Sequence, residues 1–487
     1  MKTSKLKMLL IIILCFILVF TGCSKAESKK DSSSPVKESS VPGTAKDDDS
    51  SSSGERSGSS AVEPIMSPDS PVSSSSASDS GSSEYKVGAD ALLSESKFSL
   101  SDASAGTDGV TADAFSSKTD SDYGETEPME PIDIYEPIRP DNEQISAGLL
   151  TAGEWNDNKN FDFLKKLLSD GQNYPYENFF TSWNLSPFNR LVIECSSGEV
   201  KVTGAKVSVL DQNGNPIWQG VTDYEGTVYA YYALLDPDMM PAQVKVNYDS
   251  SEQTYTVSKD DLLETSVIKI NLEEYIPKTK TLDLMFTVDT TGSMGDEIFY
   301  LQKELENVIK RVQEDSSNIP TRLSVNFYRD HGDSYVVRPY EFSSDINSQL
   351  AYLNKEYATG GGDFEEALEE ALESSIKEHA WNEDSIKLLF LVLDAPPHKT
   401  DAIKQSLIDT LQKASEMGIR IIPVASSGID KDTEFLLRAF AMTTGGTYTF
   451  LTDDSGIGGS HLEPTVGEYT VEHLNDLLVR IIEEYIG

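Results

Sequence analysis

Cysteine is scarce. Cys15, Cys23 and Cys195 are the three in 487 residues. Cys15 lies in an apolar leader and Cys23 just after it, so Cys195 has no obvious partner and no disulfide framework is expected. Basic residues are also few. Lys and Arg number 40 against 81 Asp and Glu, a formal net charge of -41. Phosphate binding needs clustered cations, so nucleic acid is excluded as a partner. The acidic surplus suits a solvated surface and divalent cations. Histidine is rarer still: His331, His379, His398, His461 and His473 have no zinc-type spacing. Other catalytic patterns are missing too. No Lys-Ser/Thr follows Gly360 to Gly362, so there is no phosphate loop, and Ser293 has no nucleophile elbow. Thr290 and Thr291 lack the second Asp of an aspartyl-phosphate phosphatase.

What is present divides the chain sharply. Lys2, Lys5 and Lys7 precede an uncharged run from Met8 to Phe20. That run is too short for a comfortable membrane span and fits a signal h-region. Phe20-Thr21-Gly22-Cys23 resembles the lipobox of bacterial lipoproteins, with Phe20 in place of the usual aliphatic residue. The resemblance implies cleavage after residue 22, lipidation of Cys23, and a membrane-anchored chain facing away from the cytoplasm. Residues 23–146 are rich in Ser, Asp, Glu, Pro and Gly. Between Ser24 and Ser146 there are 25 acidic and 10 basic residues. Such a segment cannot bury enough apolar surface to offset its ordering entropy, and it reads as a disordered tether. Flexible-chain scaling gives it a reach of roughly 60 Å.

Residues 147–188 read as a short helical and loop segment. Phe161, Leu164, Leu167 and Leu168 fall at helical spacing. Phe179, Phe180, Trp183 and Phe188 are expected to pack on a neighbour. Residues 189–276 carry short strand-like runs, such as Leu191-Val192-Ile193 and Val244 to Val246. Turn chemistry at Gln212-Asn213-Gly214-Asn215 and Asp223-Tyr224-Glu225-Gly226 separates them. That pattern predicts a small β-sandwich. The stretch from Val202-Thr203-Gly204-Ala205-Lys206 to Gly226 is similar to carboxypeptidase regulatory-like domains, which implies a spacer or binding module.

Residues 281–487 alternate differently. Apolar runs at Leu282 to Val288, Leu323 to Tyr328, Ile386 to Leu393 and Ile419 to Ala425 predict buried strands, with Tyr335-Val336-Val337 and Tyr448 to Leu451 as shorter ones. Amphipathic stretches between them predict helices. One carries Ile298, Leu301, Leu305, Val308, Ile309 and Val312 on a single face. Others span Phe364 to Ile376, Ile403 to Ala414, Leu436 to Met442 and Leu474 to Ile486. The expected fold is α/β: a doubly wound, mainly parallel sheet covered on both faces.

In such sheets ligands bind beyond the carboxyl ends of the strands. Asp289 and Asp394 each follow an apolar run there. Thr291 and Ser293 add hydroxyls beside Asp289, and the Thr359-Gly360-Gly361-Gly362-Asp363 loop can bring a further oxygen. Carboxylates with neutral hydroxyls make an all-oxygen site for a hard cation. Mg²⁺ suits it, and Mn²⁺ or Ca²⁺ could substitute.

Asp289-Thr290-Thr291-Gly292-Ser293-Met294 resembles the metal-ion-dependent adhesion site of von Willebrand factor type A domains. Three further stretches agree with a bacterial branch of that family: Phe327-Tyr328-Arg329-Asp330-His331, Gly360 through Ala367, and Leu393-Asp394-Ala395-Pro396-Pro397-His398. The resemblance covers residues 281–487. It implies Asp289, Thr291 and Ser293 as the first metal motif and Asp394 as the distant carboxylate. The family usually places a Thr after Gly-Gly as the middle ligand. Here Asp363 follows three glycines and is the favoured candidate, with Thr359 as the alternative. The function expected is capture of a protein partner through the cation, with a partner carboxylate completing the shell, and no enzymatic activity. Two alternatives stand beside it. One is a metal-dependent hydrolase of phosphate or ester substrates, with His331 or His398 as base. The other is a metal-independent envelope scaffold.

Overall fold

The computed structural model describes residues 146–487, except 170–175, 187, 235, 264–265 and 316–318. The expected leader, the lipidation site at Cys23 and the acidic tether lie outside the described residues. Strand β1 (Thr151–Trp155) comes first, then helices α1 (Phe161–Ser169) and α2 (Glu177–Ser182). Phe161, Leu164 and Leu168 are the buried face of α1, as their spacing predicts.

Eight strands follow: β2 (Leu191–Ser197), β3 (Val200–Lys201), β4 (Lys206–Leu210), β5 (Pro216–Val221), β6 (Thr227–Ala230), β7 (Gln243–Tyr248), β8 (Ser251–Thr256) and β9 (Val267–Asn271). They form two four-stranded sheets, one of β3, β2, β6 and β9, the other ordered β5-β4-β7-β8. Alternate residues such as Val207 and Val209, or Val244 and Val246, point into one shared core. Cys195 is buried in it as a free thiol, and burial pushes its pKa up to about 12.

The α/β part runs β10 (Leu282–Asp289), α3 (Ile298–Asp315), β11 (Thr321–Tyr328), β12 (Val337–Arg338), α4 (Ile346–Leu353), α5 (Leu368–Glu373), β13 (Ile386–Leu393), α6 (Asp401–Met417), β14 (Ile419–Ala425), α7 (Lys431–Thr444), β15 (Tyr448–Leu451), β16 (Glu472–His473) and α8 (Leu474–Ile486). The sheet order is β12-β11-β10-β13-β14-β15-β1-β16. The five strands from β11 to β15 in that order are parallel, while β12, β1 and β16 pair antiparallel. Both faces are covered. On β13, Leu388, Phe390 and Val392 share a core with α3, α4 and α8. Leu389, Leu391 and Leu393 share the other core with α5, α6 and α7. Burying each such side chain contributes about 1.5–3 kcal/mol. No described helix is long and apolar enough to cross a membrane.

Three sequence expectations change. Residues 147–188, expected as a short helical and loop segment, also contribute a strand, because β1 lies inside the large sheet between β15 and β16, with Ala152 opposite Leu451. Glu304 fixes its approach: the carboxylate is fully buried and accepts the backbone N–H groups of Gly148, Leu149 and Leu150 at 2.8–3.1 Å. Phe179 then stacks on Phe435 of α7 at 5.2 Å, which supplies the neighbour expected for the aromatic stretch. The sandwich is therefore inserted between two parts of the α/β unit. The helix expected over Phe364 to Ile376 starts only at Leu368, because the preceding residues are held as a loop by the Glu366 N–H to Pro396 carbonyl bond. The strand expected at Tyr335 to Val337 is a two-residue pairing at Val337–Arg338. The Tyr335 side chain is occupied elsewhere, on Thr290 and Glu356.

The sandwich docks on the amino ends of the parallel strands. Arg420, at the start of β14, donates to the Val221 carbonyl at 2.6 Å. Lys278 and Lys206 pair with Asp384 and Glu383, just before β13. An eight-residue strand spans about 26 Å. That length separates the docked sandwich from the carboxyl edge, where the chemistry collects.

Candidate metal centre

β10 and β13 are adjacent and parallel, with Val288 opposite Val392, so Asp289 and Asp394 emerge at the same edge. Asp289 is fully buried. Its Oδ1 accepts the Thr291 N–H at 2.8 Å and the Thr291 hydroxyl at 2.7 Å. The Thr291 and Ser293 hydroxyl oxygens are 3.2 Å apart, and Ser293 is near enough to Asp394 to act on its carboxylate. The four residues Asp289, Thr291, Ser293 and Asp394 are thus brought together. Behind them, Arg329 ties Thr290 to Glu356 and the Tyr357 carbonyl, which stiffens the turn.

The glycine loop closes over this turn through its backbone. The Thr359 N–H donates to the Thr290 carbonyl at 2.9 Å, and the Gly360 carbonyl accepts the Gly292 N–H at 3.2 Å. Thr359 itself is exposed. Gly360 and Gly361 take positive φ, +87° and +74°. A Cβ on Gly360 would stand 2.5 Å from the Asp333 carboxylate, and one on Gly361 would stand 2.8 Å from Glu366 Oε1. Only glycine allows this approach.

That approach brings in a residue the sequence reading missed. Glu366 is 2% exposed, and the charges of Asp289, Asp330, Asp394 and Asp333 all act on its carboxylate. Asp363, the favoured middle ligand, is grouped with Asp330 and His398, with one donor atom from each within 4.8 Å of the others. Glu366 left a weak signal: an acidic residue directly before the buried Ala367 and Leu368. The Asp330 and His398 pairing left none, since 68 residues separate them. His331 and His398 do meet at the rim, with rings 5.8 Å apart.

The electrostatics are those of crowded buried acids. Burial pushes Glu366 up to about 9, helped by the charges of Asp289, Asp330, Asp394 and Asp333. Asp394 is pushed up to about 8, by burial first and the Asp289 charge second, with Ser293 opposing. Burial raises Asp289 to about 6 against the Thr291 donors, the Tyr328 hydroxyl and Arg329. Asp289 Oδ2, Asp394 Oδ1 and Glu366 Oε2 are buried without a hydrogen-bond partner. Unpaired buried carboxylates must be neutralised by protons or by a cation. Carboxylates and hydroxyls fit a hard divalent ion with open positions, such as Mg²⁺, Mn²⁺ or Ca²⁺.

Residues 283–459 match the family model of the von Willebrand factor type A domain. An ariadne-like RING finger protein of Acanthamoeba polyphaga mimivirus is 30% identical over 120 residues, which is 24% of this chain and 11% of that protein. The match therefore spans about a tenth of that relative's length. The crystal structure of the conserved hypothetical protein BatB from Bacteroides thetaiotaomicron aligns with 42% of this chain and 98% of its own, at 10% identity and a TM-score of 0.30.

Proposed function

We propose that the von Willebrand factor type A domain carried by residues 283–459 captures a protein partner through a divalent cation held by Asp289, Thr291, Ser293, Asp394 and Glu366. Domains of this family typically mediate protein–protein interactions. The observation that carries the reading is the set of three buried carboxylate oxygens without partners at one sheet edge. A bound cation would supply positive charge and an open position for a partner carboxylate. The chain's own groups hold the turn rigid, exclude water from Asp289 and leave Ser293 exposed to the approach. Phe364 stands 44% exposed beside the loop and offers an aromatic anchor to the partner. The chain acts at a cell surface in this proposal, held by lipid on Cys23 and extended by the acidic tether.

The test is recovery of a partner from cell-envelope extract with immobilised full chain. Binding in Mg²⁺, lost with EDTA and in Asp289→Ala, supports the proposal. Binding indifferent to both would replace it with the metal-independent scaffold. A second reading has one observation in its favour: His398 lies 3.3 Å from Asp330, close to the carboxylates. Metal-assisted hydrolysis with His398 as base would give phosphoester turnover that His398→Ala abolishes.

A further inference from the structure

Beside the all-oxygen cluster the same edge assembles a chemically different set of donors. Asp330 follows β11, His398 follows β13, and Asp363 comes from the glycine loop between them. One donor atom from each lies within 4.8 Å of the other two. We propose that Asp330, Asp363 and His398 form a second cation site, one that takes a divalent transition-metal ion such as Zn²⁺.

Four features carry this. An imidazole with two carboxylates suits Zn²⁺ better than Mg²⁺, which seeks oxygen alone. Asp330 Oδ1 and His398 Nε2 are 3.3 Å apart, and two ligands on a tetrahedral zinc at ordinary bond lengths stand about 3.4 Å apart. Asp363 is exposed after three glycines, so its side chain is free to draw in from the 4.8 Å limit toward that spacing and still leave open positions toward solvent. The independent observation is Glu366. It is 98% buried with Oε2 unpartnered, and after Asp289 the charge that acts on it most is that of Asp330. Carboxylates of both donor sets, Asp289 and Asp394 in one and Asp330 in the other, are thus near enough to act on it. The imidazole is also braced. His398 stacks on His331 at 5.8 Å and 22°, and His331 leans on Glu369 at 3.5 Å and Glu370 at 3.7 Å. Such supports orient metal-binding rings.

The proposal stands apart from partner capture, and its test keeps the two distinct. The purified full chain, stripped with chelator, is dialysed against Zn²⁺ in excess Mg²⁺. A single Zn²⁺ that Mg²⁺ does not displace is expected. Its affinity should fall at least about tenfold in His398→Gln and in Asp363→Asn, and hold in Asp289→Asn. Asp363 is exposed, so that variant folds even if His398→Gln does not. With Co²⁺ in place of Zn²⁺, a visible absorption band should appear and be lost in both variants. Zn²⁺ uptake unchanged in both variants would overturn the proposal. So would displacement by Mg²⁺, or loss of Zn²⁺ in Asp289→Asn alone.

Discussion

Arg438 grips Asp157 with two hydrogen bonds, Nε to Oδ2 at 2.8 Å and a terminal nitrogen to Oδ1 at 2.7 Å, and neither side chain is more than 2% exposed. The pair joins the segment before the sandwich to α7, across 281 residues of sequence. Removing Asp157 leaves the buried Arg438 charge opposed by Glu434 at the longer distance of 3.5 Å, with the Thr465 carbonyl as acceptor. Asp157→Ala is expected to cost about 3–5 kcal/mol of stability in chemical denaturation, while an apolar replacement of both residues should recover most of it. An Asp157→Ala chain as stable as the natural one would mean that the pair contributes little.

The carboxylates at the sheet edge set a pH dependence. Asp289, Asp394 and Glu366 are raised to about 6, 8 and 9 in the folded chain, against ordinary values near 4. Between about pH 4 and 9 these three groups hold more protons in the metal-free folded state than in the unfolded one, so their contribution to stability falls as pH rises. A cation replaces those protons. Mg²⁺ should therefore raise the melting temperature more at pH 8.5 than at pH 6. Titration calorimetry in buffers of different ionisation enthalpy should register proton release. A Mg²⁺ effect independent of pH would contradict the assignment.

Glu366→Gln removes a buried carboxylate on which the charges of Asp289, Asp330 and Asp394 act. Mg²⁺ affinity should drop roughly 10–100-fold by calorimetry. Asp363→Asn should leave Mg²⁺ affinity within a factor of about 2–3, because Asp363 sits with Asp330 and His398. The reverse order of effects would restore Asp363 as the middle ligand.

Phe364 is exposed on the loop that carries Asp363. Phe364→Ala should weaken partner binding by about 1–2 kcal/mol in a binding assay and leave the Mg²⁺ titration unchanged. Partner affinity equal to the natural chain's would remove Phe364 from the contact surface.

His461 lies between Glu297 at 3.1 Å and Asp453 at 2.8 Å. Burial works to lower its pKa, but these two carboxylates outweigh it and the net shift is upward. The stability it contributes is full below about pH 6.5 and is lost as pH rises through the higher folded value. His461→Gln should flatten the pH–stability curve of the metal-free chain between about pH 6.5 and that higher value. An unchanged slope would show the pairing to be energetically silent.

How much of this was legible in the sequence depended on locality. Asp289 and Asp394 close mostly apolar runs, and Thr291 and Ser293 lie within four residues of Asp289, so one short window held most of the first cluster. Glu366 was obscured because the chain from Gly360 to Ala367 has neither helical nor strand periodicity. Its direction is set by two positive-φ glycines and a bond to Pro396. β1 was missed for another reason. Thr151 to Trp155 is short, contains a glycine, and finds its partners about 300 residues away, at Leu451 and Glu472. No local pattern reports such a pairing.

The insertion of the sandwich also decides where a pull would travel. A tension applied at residue 146 and resisted at the carboxyl edge enters through β1, which is hydrogen-bonded on both sides within the eight-stranded sheet and secured near its entry by Glu304. The two ends of the sandwich both return to the α/β unit, so it hangs beside the line of force. It can unfold without lengthening the connection, and the joint under load is the seam between β1, β15 and β16.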